Sequence, residues 1–334
     1  MIISRAPLRI SFFGGGSDFP EYFRKHGGRV LSTAIDRYNY ITATPFPSRL
    51  FDYKIRLSYS RGELVHATGE IQHPVFRACL ELLGLREDIE LHAVADLPAF
   101  TGLGSSSSFT VTLLHALHAF KGEDVGPAVL AREAIRVERE ILGECVGCQD
   151  QVAAAYGGFN LVEFSGESDP VVQPLKIPAK NLQTLHEGML LVFTHLKRRA
   201  QEIEKSKLPK LSARSPELEE MKAAALEGAR LLESAHFSLK EFGTLLEQGW
   251  RRKKELSPLV CPPEVEALHH QACKLGAYGG KLLGAGGGGF FLFLAEPERL
   301  PALTKAFIAQ EQVRPALAAE GAKLIFRNTL DREL

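Results

Sequence analysis

Residues 97–108 read Leu-Pro-Ala-Phe-Thr-Gly-Leu-Gly-Ser-Ser-Ser-Ser, and they run straight into an apolar segment. In that segment Val111, Leu113, Leu114, Leu117 and Phe120 recur at helical spacing. Residues 90–97 before it alternate as a strand does. A strand, a glycine turn and a helix in this order suit an anion cradle. Gly102 and Gly104 lack side chains, so a ligand can approach the backbone closely. Serines cap helices well, and a helix N-terminus turns free N–H groups toward negative charge. A flexible Gly/Ser turn before an ordinary capped helix fits the same residues equally well.

The stretch is not the common P-loop. That motif needs a lysine after its last glycine, and Gly104 is followed by Ser105. A literal GxGxxG match at residues 284–289 is a false lead. It runs into Phe290-Phe291-Leu292-Phe293-Leu294, a strand pattern, whereas a dinucleotide fingerprint opens a helix. A glycine loop between strands instead lets one backbone pack on another loop or on a ligand.

Any anion binding must be local, because 40 basic residues balance 40 acidic ones. That balance favours neither nucleic acid nor an anionic membrane as partner. The start of the chain has no signal-peptide layout, and no apolar run approaches ~18 residues, so the expected location is cytoplasmic. The cysteines Cys79, Cys145, Cys148, Cys261 and Cys273 are odd in number and scattered, which suggests reduced thiols. Cys145 and Cys148 form a single CxxC with no second pair, a poor basis for zinc.

At 334 residues two domains are expected. Strand patterns cover residues 2–13, 30–43, 54–59, 159–164, 188–194, 290–294 and 323–327. Helical patterns cover 75–83, 109–120, 129–142, 149–155, 216–235, 239–256, 263–275 and 297–312. Residues 172–185 read as a connection, dividing the chain into 1–180 and 181–334. Residues 197–211 read as a charged, mobile segment. Without regular βαβ alternation the fold class is α+β.

Four charged residues suit phosphoryl transfer. Such chemistry needs a divalent cation, a group facing the attacking hydroxyl, and cations near the developing charge. Glu138 is a candidate ligand for Mg²⁺, which prefers a few hard oxygens, and Asp150 a candidate base. Both also read as ordinary solvated helix acids. Arg9 sits inside a strand and needs a partner, and Asp18 follows three glycines, where it also suits a helix N-cap.

In order, these parts resemble the GHMP kinase superfamily of galactokinase, homoserine kinase, mevalonate kinase and phosphomevalonate kinase. Residues 6–18, 98–108 and 281–289 are similar to its three motifs, so the resemblance spans nearly the whole chain. It implies a two-domain α+β kinase fold, with an N-terminal domain like a ribosomal-protein domain and ferredoxin-like layers in the C-terminal one. By the same resemblance Gly102, Leu103, Gly104, Ser105, Ser106, Ser107 and Ser108 bind ATP, and Ser106 and Glu138 hold Mg²⁺. Asp150 faces the acceptor hydroxyl with Arg9 beside it. Asp18, Gly15, Gly16, Gly286, Gly287 and Arg198 meet the substrate, Arg198 at its distal phosphate.

Residues 5–20, 27–31, 147–151, 153–158 and 194–203 are most similar to D-glycero-D-manno-heptose 7-phosphate kinases. Those enzymes phosphorylate the anomeric hydroxyl of a sugar phosphate. Cys148 and His195 depart from that group, where lysine and glycine are common. The resemblance thus implies a sugar 1-kinase using ATP and Mg²⁺, acting on a small sugar phosphate, with a homodimer left open. A kinase for fucose or a hexose, or a non-catalytic binding protein of the same fold, are the alternatives.

Overall fold

In the computed structural model of the chain, residues 1–196, 200–211, 213 and 215–328 are described. The first half runs β1 (Ile2–Phe13), α1 (Pro20–His26), β2 (Gly28–Pro45), β3 (Ile55–Ser58), β4 (Gly62–Val65), α2 (Pro74–Leu82) and β5 (Ile89–Ala95). It continues with α3 (Ser105–Lys121), α4 (Pro127–Ile135), a π-helical turn (Arg136–Ile141), α5 (Gln149–Tyr156), β6 (Phe159–Phe164) and β7 (Val171–Pro174). The second half holds α6 (Ala179–Glu187), β8 (Met189–Phe193), α7 (Ala200–Leu211), α8 (Pro216–Glu233), α9 (Leu239–Leu256) and α10 (Pro263–Lys274). It ends with β9 (Ala277–Leu282), β10 (Phe290–Ala295), α11 (Leu300–Ala306), β11 (Gln312–Val313) and β12 (Lys323–Arg327).

The larger sheet is ordered β12-β1-β2-β5-β3-β4, with β6 on the other half of β2 and β7 beyond it. Eighteen-residue β2 makes this branching possible. Its residues 28–33 pair with β6 while 39–45 pair with β5. Only β3 with β5 runs parallel among the described pairs. The smaller sheet, β11-β8-β10-β9, is antiparallel throughout. Apolar side chains of α2 to α5 and of the larger sheet fill one core. A second core joins the halves, with Leu8, Ile10, Phe12 and Phe13 of β1 against Phe242 and Leu246 of α9 and Leu292 of β10. Burial of this apolar surface against both halves holds the pocket walls in register.

Several stretches differ from the sequence reading: the helix read over 297–312 ends at Ala306, 62–65, 171–174 and 277–282 are strands, and two further stretches are helical. Residues 200–211 form a helix, because Ile203 and Leu211 bury one face while Glu204 and Lys207 pair one turn apart. Residues 179–187 are helical rather than a plain connection, anchored by buried Leu185 and by Asn181 donating to Leu232 O and Ser234 O. The last strand, β12, crosses back to pair with β1, so the end of the chain completes the first sheet.

Candidate active site

A cavity of about 820 Å³ lies between the halves. Its floor is the junction of β5 and α3. Gly104, in the left-handed conformation (φ +73°), turns the chain so that 17-residue α3 points its N-terminus at the cavity. Ser108 N reaches back to Gly104 O at 2.9 Å, and the amides of Ser105, Ser106 and Ser107 precede the first intrahelical bond. Those free N–H groups and the helix dipole make a cationic floor.

The serines have separate tasks. Ser105 presents its carbonyl to Asn39 Nδ2 (3.0 Å). Ser106 is exposed at the rim of the cavity. Ser107 is buried and donates to Glu138 Oε2 at 2.8 Å, so the serine facing Glu138 follows the one singled out by motif. Ser108 turns away and donates to Ala6 O of β1 (2.9 Å). Leu103 is buried in the core, its carbonyl taken by Arg9 N (3.0 Å).

Glu138 comes from the π-helical turn after α4 and is fully buried. Gln151 Nε2 also donates to its Oε2 (2.6 Å), while Oε1 has no hydrogen-bond partner. Burial outweighs the hydrogen bonds from its neighbours and pushes its pKa up to about 7. A buried oxygen without a donor among the described residues, on a carboxylate held by the Ser107 hydroxyl beside the N-terminus of α3, suits a hard divalent cation.

Arg9 and Asp150 form a bidentate pair. Arg9 Nε donates to Asp150 Oδ1 (2.7 Å) and Nη2 to Oδ2 (2.6 Å), while Nη1 donates to Gly102 O (2.7 Å). The strand arginine thus fixes a carboxylate at the head of α5 and the phosphate-loop backbone together. Asp150 keeps about a quarter of its side chain open to the cavity.

Asp18 is buried beyond this pair. Gly16 N donates to its Oδ1 (2.8 Å) and Gln149 N to its Oδ2 (3.2 Å). Burial raises its pKa, with the charge of Asp150 adding to the effect against the lowering by backbone N–H groups. Gly147 is required here, because a Cβ would fall 1.9 Å from Asp18 Oδ2.

Gly15 and Gly16 line the cavity near Asp18. Gly286 and Gly287 do not line it. A Cβ on Gly286 would meet Val260 at 2.9 Å, and Gly287 N donates to Val260 O (2.8 Å). Arg198 lies outside the described residues. Cys148 is buried, its thiol pushed up to about 12 chiefly by burial, and it is a free thiol like Cys145. His195 is exposed at φ +57° and stacks edge-on to Phe193, off the cavity wall.

Sequence reasoning missed two groups that line the cavity. Tyr59, His73 and Phe109 form an aromatic cluster on its wall, which Val94 and Leu97 also line. Lys207, Lys253 and Lys281 line the wall from the C-terminal half. Lys281 was findable, since a lysine inside a glycine and leucine strand needs a partner as Arg9 does. Lys253 sits in Arg-Arg-Lys-Lys, where nothing marks it out.

The GHMP kinases N terminal domain family matches residues 68–158, a span that includes residues 102–108, Glu138 and Asp150. The GHMP kinases C terminal family matches residues 229–313. A D-glycero-alpha-D-manno-heptose 7-phosphate kinase from Campylobacter jejuni is 33% identical, covering 91% of this chain and 92% of its own. The chain belongs to the GHMP kinases. An L-fucokinase/L-fucose-1-P guanylyltransferase from Bacteroides fragilis is 27% identical over 94% of this GHMP kinase and 37% of its own length. Among solved structures, a D-glycero-D-manno-heptose 1-phosphate kinase from Bacteroides thetaiotaomicron superposes with a TM-score of 0.79 and 25% identity. That match covers 98% of this chain and 100% of the other. A sugar kinase structure from Campylobacter jejuni gives 0.77 and 29%, covering 97% of each chain.

Proposed function

We propose that this sugar kinase moves the γ-phosphoryl group of ATP to the anomeric hydroxyl of D-glycero-D-manno-heptose 7-phosphate, giving the 1,7-bisphosphate. The observation that carries the transfer chemistry is the Arg9–Asp150 pair, set between the phosphate loop and Asp18. The acceptor is taken from the likeness to the Campylobacter jejuni heptose 7-phosphate kinase over nine-tenths of the chain. The setting proposed is the cytoplasm, and among the described residues no helix is long and apolar enough to cross a membrane.

In this reading the base of ATP lies among Tyr59, His73 and Phe109, and its phosphates lie over the N–H groups of Ser105, Ser106 and Ser107. Glu138, through its Oε1, and Ser106 or Ser107 would hold Mg²⁺, which would supply charge to offset the phosphates. Asp150 receives the anomeric hydroxyl. Held bidentately by Arg9, its carboxylate accepts a hydrogen bond from that hydroxyl, which points the hydroxyl oxygen at the γ-phosphorus. A loose transition state asks little of a base, so orientation is the main service and proton acceptance follows. Arg9 keeps Nη1 on Gly102 O, so the loop and the base move as one unit. Asp18 binds neighbouring sugar hydroxyls, and its raised pKa suits a group shielded from water.

The test is a substrate panel with purified protein and ATP, with products identified by phosphorus NMR. Turnover of heptose 7-phosphate to a new anomeric phosphate is expected, at a kcat/KM well above that for fucose. Efficient use of fucose with none of the heptose phosphate would overturn the acceptor assignment.

A further inference from the structure

Three lysines from the C-terminal half line the same cavity as Asp18, and the transfer chemistry above uses none of them. Lys281 leaves β9 and donates to Ser11 O (2.8 Å) and Phe12 O (2.9 Å). Lys253 on α9 donates to Leu282 O (2.8 Å) and Gly284 O (2.5 Å). Lys207 on α7 donates to Ala285 O (3.3 Å) and pairs with Glu204 (2.5 Å). All three residues are at most 5% exposed, and all three line the cavity. An ammonium has three N–H bonds, and two partners each leave one per lysine for the cavity.

The charges do not balance locally. Asp150 is occupied by Arg9, and Asp18 by the backbone N–H groups of Gly16 and Gln149. That leaves Glu204 as the carboxylate paired with this trio. Burying like charges together is costly, and apolar side chains would fill the same space more cheaply. Burial, and then the charges of Lys281 and Lys207, hold Lys253 well below the ordinary lysine pKa. Burial, with Arg9 next, brings Lys281 down to about 7. A bound anion would relieve both effects.

Position selects which anion. Along β1 the chain passes Arg9 under the phosphate loop, then Ser11 and Phe12, whose carbonyls take Lys281, and then reaches Asp18. Leu211, one turn past Lys207, and Leu256, one turn past Lys253, both pack at Gly16. The lysines therefore flank the acceptor loop, and the aromatic cluster at Tyr59 and Phe109 belongs to other elements. We propose that Lys207, Lys253 and Lys281 form a phosphate subsite for the distal phosphate of the acceptor sugar. This rests on the reading of the acceptor as a sugar phosphate. The γ-phosphate of ATP offers the same chemistry, and the experiment separates the two.

The variants are Lys281→Gln, Lys207→Gln, and the double change Glu204→Gln with Lys207→Gln, which leaves no carboxylate buried alone. Circular dichroism confirms folding, and the double variant carries the test if a single one does not fold. KM is measured for ATP, for heptose 7-phosphate and for the heptose without its phosphate. KM for heptose 7-phosphate should rise about 10- to 100-fold, the scale of one charge-assisted hydrogen bond to phosphate, and preference over the unphosphorylated sugar should fall by a similar factor. A rise confined to KM for ATP assigns the lysines to the γ-phosphate and overturns the proposal. Equal losses on both sugars overturn it too. Inorganic phosphate, titrated calorimetrically, reads the subsite without any sugar. It should bind the wild type and bind the double variant at least about tenfold more weakly. Unchanged phosphate binding refutes the subsite even if heptose 7-phosphate proves not to be the acceptor, and that latter failure alone falls on the functional reading.

Discussion

Two glycine-rich loops meet beneath the cavity, and they use their glycines for different ends. In residues 102–108 the glycines shape a turn that aims a helix N-terminus at a ligand, and Gly104 also leaves room for Arg9 and Asp150, whose atoms would stand 3.2–3.3 Å from a Cβ. In residues 284–289 the glycines face the protein. A Cβ on Gly284 would lie 2.7 Å from Gly102 Cα, and one on Gly289 would lie 2.6 Å from Thr101 O. Gly288 and Gly286 meet Leu196 O and the Val260 backbone in the same way. In the proposed reading one loop receives an anion and the other braces it, backbone against backbone, and Gly102 shares in that contact, since a Cβ there would lie 2.6 Å from Leu283 O. Similar composition therefore carries two functions, and the element that follows each loop, helix or strand, tells them apart.

The sharpest separation comes from the receiving side. Asp150→Asn removes the charge that Arg9 holds in place while keeping the shape of the side chain. A fall in kcat of at least ~100-fold is expected, with a lowered thermal midpoint because buried Arg9 loses its charged partner. Steady-state kinetics beside a melting curve reads both. A kcat within a few-fold of wild type would remove Asp150 from the reaction.

The bracing side should answer in stability first. Gly289→Ala forces a side chain into φ +103° and into Thr101 O, so denaturant unfolding should show a loss of roughly 2–4 kcal/mol. Because Thr101 adjoins Gly102, KM for ATP should rise as well. Gly122→Ala is the control. It has positive φ (+87°) with nothing within 4 Å, so only the backbone term of about 1 kcal/mol remains. Equal losses in the two variants would mean that the close approach of the loops carries no weight.

Legibility from sequence followed the same division. The receiving loop could be read, because a strand pattern, glycines, serines and a helical period stand in line. The strand arginine and the glycine-flanked aspartate could be read too, since charges in such places need partners. The order of the serines' tasks could not, because which hydroxyl faces Glu138 depends on where the π-helical turn places that residue. Helix α7 escaped because its charges suggested solvent, whereas Glu204 and Lys207 satisfy each other inside the wall. The return of β12 to β1 is a long-range pairing that no local pattern encodes.

A smaller effect tests whether the bracing half contributes stability independently of the chemistry. His269 on α10 stacks on Phe291 of β10, two residues past the bracing loop, and its Nε2 faces Glu247 Oε2 at 2.8 Å and Cys273 Sγ at 3.5 Å. Burial of the ring lowers its pKa, but the partners Cys273 and Glu247 outweigh that and push it up to about 9. A folded-state pKa above the unfolded value near 6.5 means that the folded chain binds the extra proton. The resulting stability is complete below pH 6.5 and is lost as pH rises through 9. Both side chains are nearly closed off from solvent, and the expected contribution is on the order of 1–3 kcal/mol. Wild-type unfolding free energy should therefore decline between pH 6.5 and 9 by more than that of His269→Gln. Kinetic constants at pH 7 should stay close to wild type in that variant, since His269 touches neither loop. A His269→Gln protein with the wild-type slope would show that the imidazolium is not the group titrating, and a large fall in kcat would show that bracing and chemistry are coupled through β10.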